Sequence, residues 1–231
     1  MFINKNIIIV EFIKRPNRFQ AYVIINGEET LVHVPNTGRC KEILIPHTKV
    51  VLRQEDNPNR KTKYDLIGGY KGNKFINIDS QIPNKVVEEA LREGKIKGLE
   101  EYNIIQREKV FGNSRFDFKL QNLKGEEYYL EVKGVTFEED GVARFPDAPT
   151  ERGKKHLLEL IDVKESGRGA GVMFVIQLED VKFFTPYDDM DMEFGKALRL
   201  ASKNGVDIFA YNSYVGEKFI TLKDEVEVRF N

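Results

Sequence analysis

Six short apolar runs crowd the first 80 residues, and they decide what this part of the chain can become. "NIIIVEFI", "RFQAYVIIN", "ETLVHVP", "TKVVLRQE", "YDLIGGY" and "KFINID" are rich in Val, Ile, Phe and Tyr. Each is too short for a stable helix, and each is cut off by a turn signal: "RPN", "NGEE", "PNTGR", "EDNPNR" or "YKGN". So many short strands in so little chain predict a small barrel or sandwich.

The pattern changes near residue 83. "PNKVVEEALREGKIKGL" spaces Val86, Val87, Ala90 and Leu91 as a helix does, and Gly94 is a natural stop. Two strands follow, "REKVFGNSRFDFKL" and "EEYYLEVKGVTF", then a helix at "TERGKKHLLELIDVKESG". A strand "AGVMFVIQL", a helix around "DMEFGKALRLASKNG" and a last strand "VDIFAYNSYVG" complete the chain. This alternation predicts a mixed α/β domain over residues 84–231, behind a β-domain over residues 1–83.

Charge divides at the same place. Residues 1–83 hold 13 Lys and Arg against 8 Asp and Glu; the remainder holds 23 against 29. A polyanion would therefore meet the N-terminal domain first. No apolar run is long enough to span a bilayer, and "MFINKNIIIVEFI" reads as a strand, not a leader. One cysteine, Cys40, allows no intrachain disulfide and fits a reducing cytoplasm. Three His residues and one Cys give no zinc-ligand spacing, and neither "LIGGYKGN" nor "GRGAG" fits a phosphate cradle. "GRGAG" reads as a loop.

The central hairpin carries the chemistry. Gly125 suits the left-handed position of a three-residue loop, Leu123-Lys124-Gly125. That loop pairs Leu120 with Tyr128, Phe118 with Leu130 and Phe116 with Val132 along one apolar face. The other face then pairs Lys119 with Tyr129, Asp117 with Glu131, and Arg115 with Lys133. Two carboxylates rooted about 5 Å apart repel and weaken a sheet. A hard divalent cation would explain them, since Mg²⁺ takes one or two carboxylates plus water and substrate phosphate. Lys133 beside it could orient a water and offset charge growing on a phosphate.

An Asp, a hairpin and then Glu-x-Lys resembles the PD-(D/E)XK nuclease superfamily, here Asp117 and "EVK" at 131–133. The proline that often precedes the first Asp is absent; Phe116 stands there. A longer resemblance runs through "RPNRF", "HVPNTGR", "RKTKYDL", "SRFDF", "LEVKGVT" and "FPDAPTERGKKHLLEL". These segments, in this order, resemble the sugar fermentation stimulation protein family. The resemblance implies an OB-fold-like barrel, a restriction-endonuclease-like α/β domain and DNA binding. With a nuclease-like site it implies Mg²⁺ (or Mn²⁺) held by Asp117, Glu131 and the Val132 carbonyl. Glu108 is the candidate for a further upstream acid, with Glu88 and Glu89 competing. The rival expectation is a DNA-binding regulator that keeps the nuclease fold as a platform.

The expected phosphate contacts are Arg15, Asn17, Arg18, Arg39, Arg60 and Lys61 at turns and strand ends of the barrel. Arg115 and, at the helix start, Arg152 and Lys155 join them, where helix N–H groups favour anions. Asn36 and Gly38 read as turn-shaping residues, Phe19 as barrel filling, His156 as a packed helix residue, and Asp147 or Thr150 as the helix N-cap.

Overall fold

The computed structural model describes residues 1–230. The N-terminal strands are β1 (Ile7–Asn17), β2 (Gln20–Ile25), β3 (Glu28–His33), β4 (Lys49–Gln54), β5 (Tyr64–Lys71) and β6 (Lys74–Asn77). They lie in the order β3-β2-β1-β4-β5-β6, and a parallel bridge from His33 to Asp65 closes β3 onto β5. Closure makes the first five strands an OB-like barrel, with β6 left as an edge strand on β5. Asn26 and Gly27 join β2 to β3, both at positive φ (52° and 85°). That is the two-residue turn whose twist suits adjoining strands. Phe12, Val23, Val32, Leu52, Leu66 and Ile76 fill the interior.

The chain then forms α1 (Ile82–Arg92), β7 (Ile104–Phe111), β8 (Ser114–Gln121), β9 (Glu127–Val135), β10 (Phe137–Glu139) and β11 (Val142–Phe145). It continues through α2 (Glu151–Glu165), β12 (Gly169–Ile176), β13 (Phe183–Pro186), α3 (Asp188–Lys203), β14 (Asp207–Gly216) and β15 (Phe219–Glu225). The main sheet runs β15-β14-β12-β9-β8-β7, with β9, β12 and β14 parallel at its centre. Its two faces are both covered: α1 packs on Phe118, Leu120, Leu130 and Val132, while α2 packs on the opposite side. Strand β12 is accordingly buried almost throughout. A small sheet, β10-β11-β13, and strand β15 were not foreseen from the sequence, and Gly169 to Gly171 of "GRGAG" start β12 instead of forming a loop.

Barrel and α/β domain meet through buried polar groups. Gln177, just past β12, donates from Nε2 to Asn77 Oδ1 at 2.9 Å and to the Asp79 carbonyl at 3.1 Å. The Asn77 amide donates back to the Gln177 carbonyl at 3.1 Å. Asp147 reaches across from the α/β side to accept from the Arg39 amide at 2.9 Å. Gly38 permits this approach, because a Cβ there would lie 2.3 Å from Asp147 Oδ2. Asp147 is therefore an interdomain latch and not a helix cap; Thr150 caps α2, accepting from the Gly153 amide at 3.1 Å.

Candidate functional site

The hairpin holds the expected loop and register near its turn. Gly125 has φ 83°, and the ladder pairs Gln121 with Glu127, Leu120 with Tyr128, Lys119 with Tyr129 and Phe118 with Leu130. The regular ladder stops there. Asp117 turns its own carboxylate into the gap: Oδ2 accepts from the Val132 amide at 2.8 Å and Oδ1 from Asn84 Nδ2 at 2.7 Å. The side chain thus replaces a strand partner. Phe116 consequently leaves the face of Phe118 and Leu120. It packs on the α2 side instead, edge-on to Tyr129 and His156 with centroids 5.9 Å away in both cases. The continuous face pairing Phe116 with Val132 does not form.

Glu131 and Lys133 share one face of β9, as alternation requires. Glu131 is 3% exposed. Its Oε1 accepts from Lys133 Nζ at 2.5 Å and meets His156 Nδ1 at 2.5 Å. Its Oε2 is buried and has no partner. Glu42 and Glu159 also carry an orphaned oxygen, but neither lines the cleft described next.

Asp117, Glu131, Val132 and Lys133 form one wall of a cleft of about 1180 Å³ between the two domains. The barrel supplies the facing wall with Lys14, Arg15, Arg18, Arg39 and Lys41, and the start of α2 adds Thr150, Arg152 and Gly153. Burial, followed by the nearby Glu131 charge, pushes the Asp117 carboxyl above the ordinary range. Burial works the same way on Glu131, but the hydrogen bond from His156 and the Lys133 charge outweigh it and leave that carboxyl below its usual value. Adjacent acids driven in opposite directions are a mark of functional sites. Asp117 and the free oxygen of Glu131 could hold a hard divalent cation, with water completing the shell. No group of three or more His, Cys, Asp or Glu side chains arranged for a metal occurs among the described residues.

The other expected contacts divide. Arg18, Arg39 and Arg152 are exposed and line the cleft. Arg15 lines it too, but its guanidinium donates to the carbonyls of Gly38, Arg39, Arg18 and Asn36 at 2.7–2.8 Å. It braces the loop that carries Arg39 and is not free for a phosphate. Asn17 folds the β1–β2 turn, accepting from the Phe19 amide at 2.9 Å. Asn36 likewise shapes its turn, accepting from the Gly38 amide at 2.6 Å. Arg60 is drawn away by Asp65 and Glu55, and neither it nor Lys61 lines the cleft. Arg115 pairs with Glu108 at 2.9 Å on the outer surface, so neither belongs to the site. Glu88 pairs with Arg92 and Glu89 with the N-terminal amine. Lys155 donates to the Asn113 carbonyl at 3.1 Å, outside the cleft. Phe19 does not fill the barrel; it is 54% exposed beside Arg18.

Three participants were missed or undervalued. His156 bonds to Glu131 and also accepts from Arg152 Nε at 3.4 Å. Its i,i+4 spacing from Arg152 was the available signal, since such residues share a helix face. Asn84 and Lys41 had no signal beyond residue type.

The fold and cleft define a class: an OB-like barrel set against a restriction-endonuclease-like α/β domain. Residues 13–78 match the SfsA N-terminal OB domain, and residues 81–219 match the sugar fermentation stimulation protein RE domain. The chain belongs to the sugar fermentation stimulation protein family. It is 72% identical over 228 residues to the sugar fermentation stimulation protein homolog of Clostridium tetani, covering 99% of both chains. The Clostridium kluyveri homolog is 64% identical over 229 residues, covering 99% of this chain and 100% of that one. Among solved structures, Pyrococcus furiosus SfsA in complex with Ca²⁺ superposes with a TM-score of 0.89 at 30% identity, covering 99% of each chain. No helix among the described residues is long and apolar enough to cross a membrane.

Proposed function

We propose that the cleft binds nucleic acid, DNA in the first instance, and hydrolyses a phosphodiester with the help of Mg²⁺ or Mn²⁺. The observation that carries this reading is the orphaned Oε2 of Glu131, buried in a cleft it shares with Asp117 and Lys133. A buried carboxylate oxygen without a partner costs stability unless something is meant to fill it. The related Pyrococcus furiosus protein, solved with Ca²⁺, supports a hard divalent cation as that partner.

When bound, the cation would supply an activated water and charge stabilisation for the phosphoryl oxygens. The chain does the rest. Asp117 and Glu131 hold the site, and Asn84 and the Val132 amide fix the Asp117 carboxylate. Lys133 would orient the attacking water and counter charge on the phosphate. Arg18, Arg39 and Lys41, which have no ion pair among the described residues, would track phosphates along the barrel wall. Exposed Phe19 offers a face for stacking a base of a single strand.

A DNA-binding regulator without cleavage is the second reading, favoured by the lack of a third converging acid among the described residues. The deciding experiment is cleavage of labelled single-stranded, duplex and branched DNA with Mg²⁺ or Mn²⁺, with EDTA and Lys133→Ala as controls. A nuclease loses about 10²–10³-fold in rate in the variant while keeping its DNA affinity. No cleavage, or cleavage the variant matches, leaves the regulator.

A further inference from the structure

We propose that His156 is a positioning residue, set by Arg152, that holds Glu131 by one oxygen so that the other stays free for a cation. This inference rests on reading the cleft as a cation site. A neutral imidazole donates from one nitrogen and accepts at the other. Arg152 Nε carries a hydrogen that can only be donated, and it faces His156 Nε2 at 3.4 Å. Nε2 is therefore the acceptor, and the proton sits on Nδ1. Nδ1 then donates to Glu131 Oε1 at 2.5 Å. The reverse tautomer would set a lone pair against the carboxylate. Phe116 packs edge-on to the ring and fixes its plane.

Lys133 cannot do this alone. It grips the same oxygen at 2.5 Å, but in the proposed reaction it turns to water and phosphate. His156 is 4% exposed on a helix packed against the sheet, so it stays. The relay also begins in the cleft, where Arg152 lines the wall and a phosphate would lie. Partners behind a metal ligand that fix its orientation are worth about 10–100-fold in metal affinity.

Two measurements on the full chain test this. Long-range ¹H–¹⁵N spectra report histidine tautomers, and only His33, His47 and His156 contribute. The signal lost in His156→Ala is expected to show the proton on Nδ1 in the wild type. Arg152→Lys, which removes the Nε donor, is expected to mix the tautomers. A proton on Nε2 in the wild type overturns the relay without reference to any metal.

Calorimetric titration with Ca²⁺ is the second. His156→Ala should bind about 10–100-fold more weakly. His156→Asn, whose amide can donate from near the Nδ1 position, should recover most of the loss. Wild-type affinity in His156→Ala, or no recovery in His156→Asn, overturns the relay and leaves the cation site standing. A wild type that takes up no Ca²⁺ overturns the cation-site reading and the relay with it.

Discussion

Two clusters of buried charge sit in this molecule, and they are built differently. In the barrel, Arg53 donates to Glu55 at 2.7 Å, Asp79 at 2.7 Å and Asp65 at 3.0 Å. Arg60 and His33 supply further donors to Asp65. None of these six side chains has a buried polar atom without a partner. In the cleft, Lys133 and His156 converge on a single oxygen of Glu131, the second is left bare, and Asp117 is raised by burial and by Glu131. The saturated cluster has nothing left to bind; the unsaturated one keeps an oxygen for the proposed cation.

The largest expected effect lies on the barrel side. Arg53→Met leaves Glu55, Asp65 and Asp79 facing one another and should cost about 3–5 kcal/mol, read from the urea midpoint. Asp117→Asn removes a charge that its surroundings oppose. With its oxygen kept on the Val132 amide and the Asn84 amide turned to accept from the new NH₂, it should change stability without cation by no more than about 1 kcal/mol, and abolish any rise when Ca²⁺ is added. If Asp117→Asn loses as much as Arg53→Met, the cleft is a structural ion cluster like the other and the comparison collapses.

A smaller effect comes from cation and pH together. In the wild type, cation at a hundredfold excess over its Kd should add about 2.7 kcal/mol. Asp117, whose folded pKa is raised, favours the fold when protonated and opposes it once ionised as pH rises through that value. Protons therefore compete for it above the ordinary carboxylate range, and the cation-linked gain should fade there first on acidification. Asp65 runs the other way. Burial raises its pKa, but Arg60, His33 and Arg53 outweigh burial and hold it low. Its contribution is complete above the unfolded value of about 3.9 and is lost only as pH falls through the lower folded one. Melting curves across an acid series, with and without Ca²⁺, should show two separate losses; a single merged loss would mean that the clusters are not distinct.

Much of the architecture was legible because it is local. The Asn26-Gly27 and Gly125 turns follow from residues that tolerate positive φ, and the register from Gln121 to Phe118 follows from loop length. Phe116 was misplaced because alternation predicts a face only along an unbroken ladder. Here the β8–β9 ladder ends at Phe118, where Asp117 takes the Val132 amide, so the alternation that holds from Phe118 to Leu120 does not carry on to Phe116, which joins the core on the α2 side. Arg18 and Arg60 look alike in sequence, each basic and near a turn. Only the fold separates them: Arg18 comes to line the cleft where barrel and sheet meet, while Arg60 folds back onto Asp65 within the barrel. Glu108 failed for a local reason. It precedes the right strand, but on the outer surface beside Arg115.

The smallest expected effect is a lack of reactivity, and it tests the seam on which the two clusters are mounted. Cys40 lies between the domains, fully buried, near Thr136 Oγ1 at 4.0 Å and close to Asp147. Burial, then the Asp147 charge, pushes its thiol from 9.0 up to about 12. At pH 8 that leaves roughly a thousandfold less thiolate than an unperturbed cysteine would have, and the attacking species is the thiolate. Iodoacetamide should therefore leave the native protein unmodified on a timescale that labels it fully in urea, and added single-stranded DNA should not change this. Rapid native labelling, or labelling accelerated by DNA, would mean that the barrel lifts off the sheet. The basic wall and the acidic pair would then belong to a jaw that opens, and the bare oxygen of Glu131 would be exposed to solvent in the open form instead of held dry for a cation.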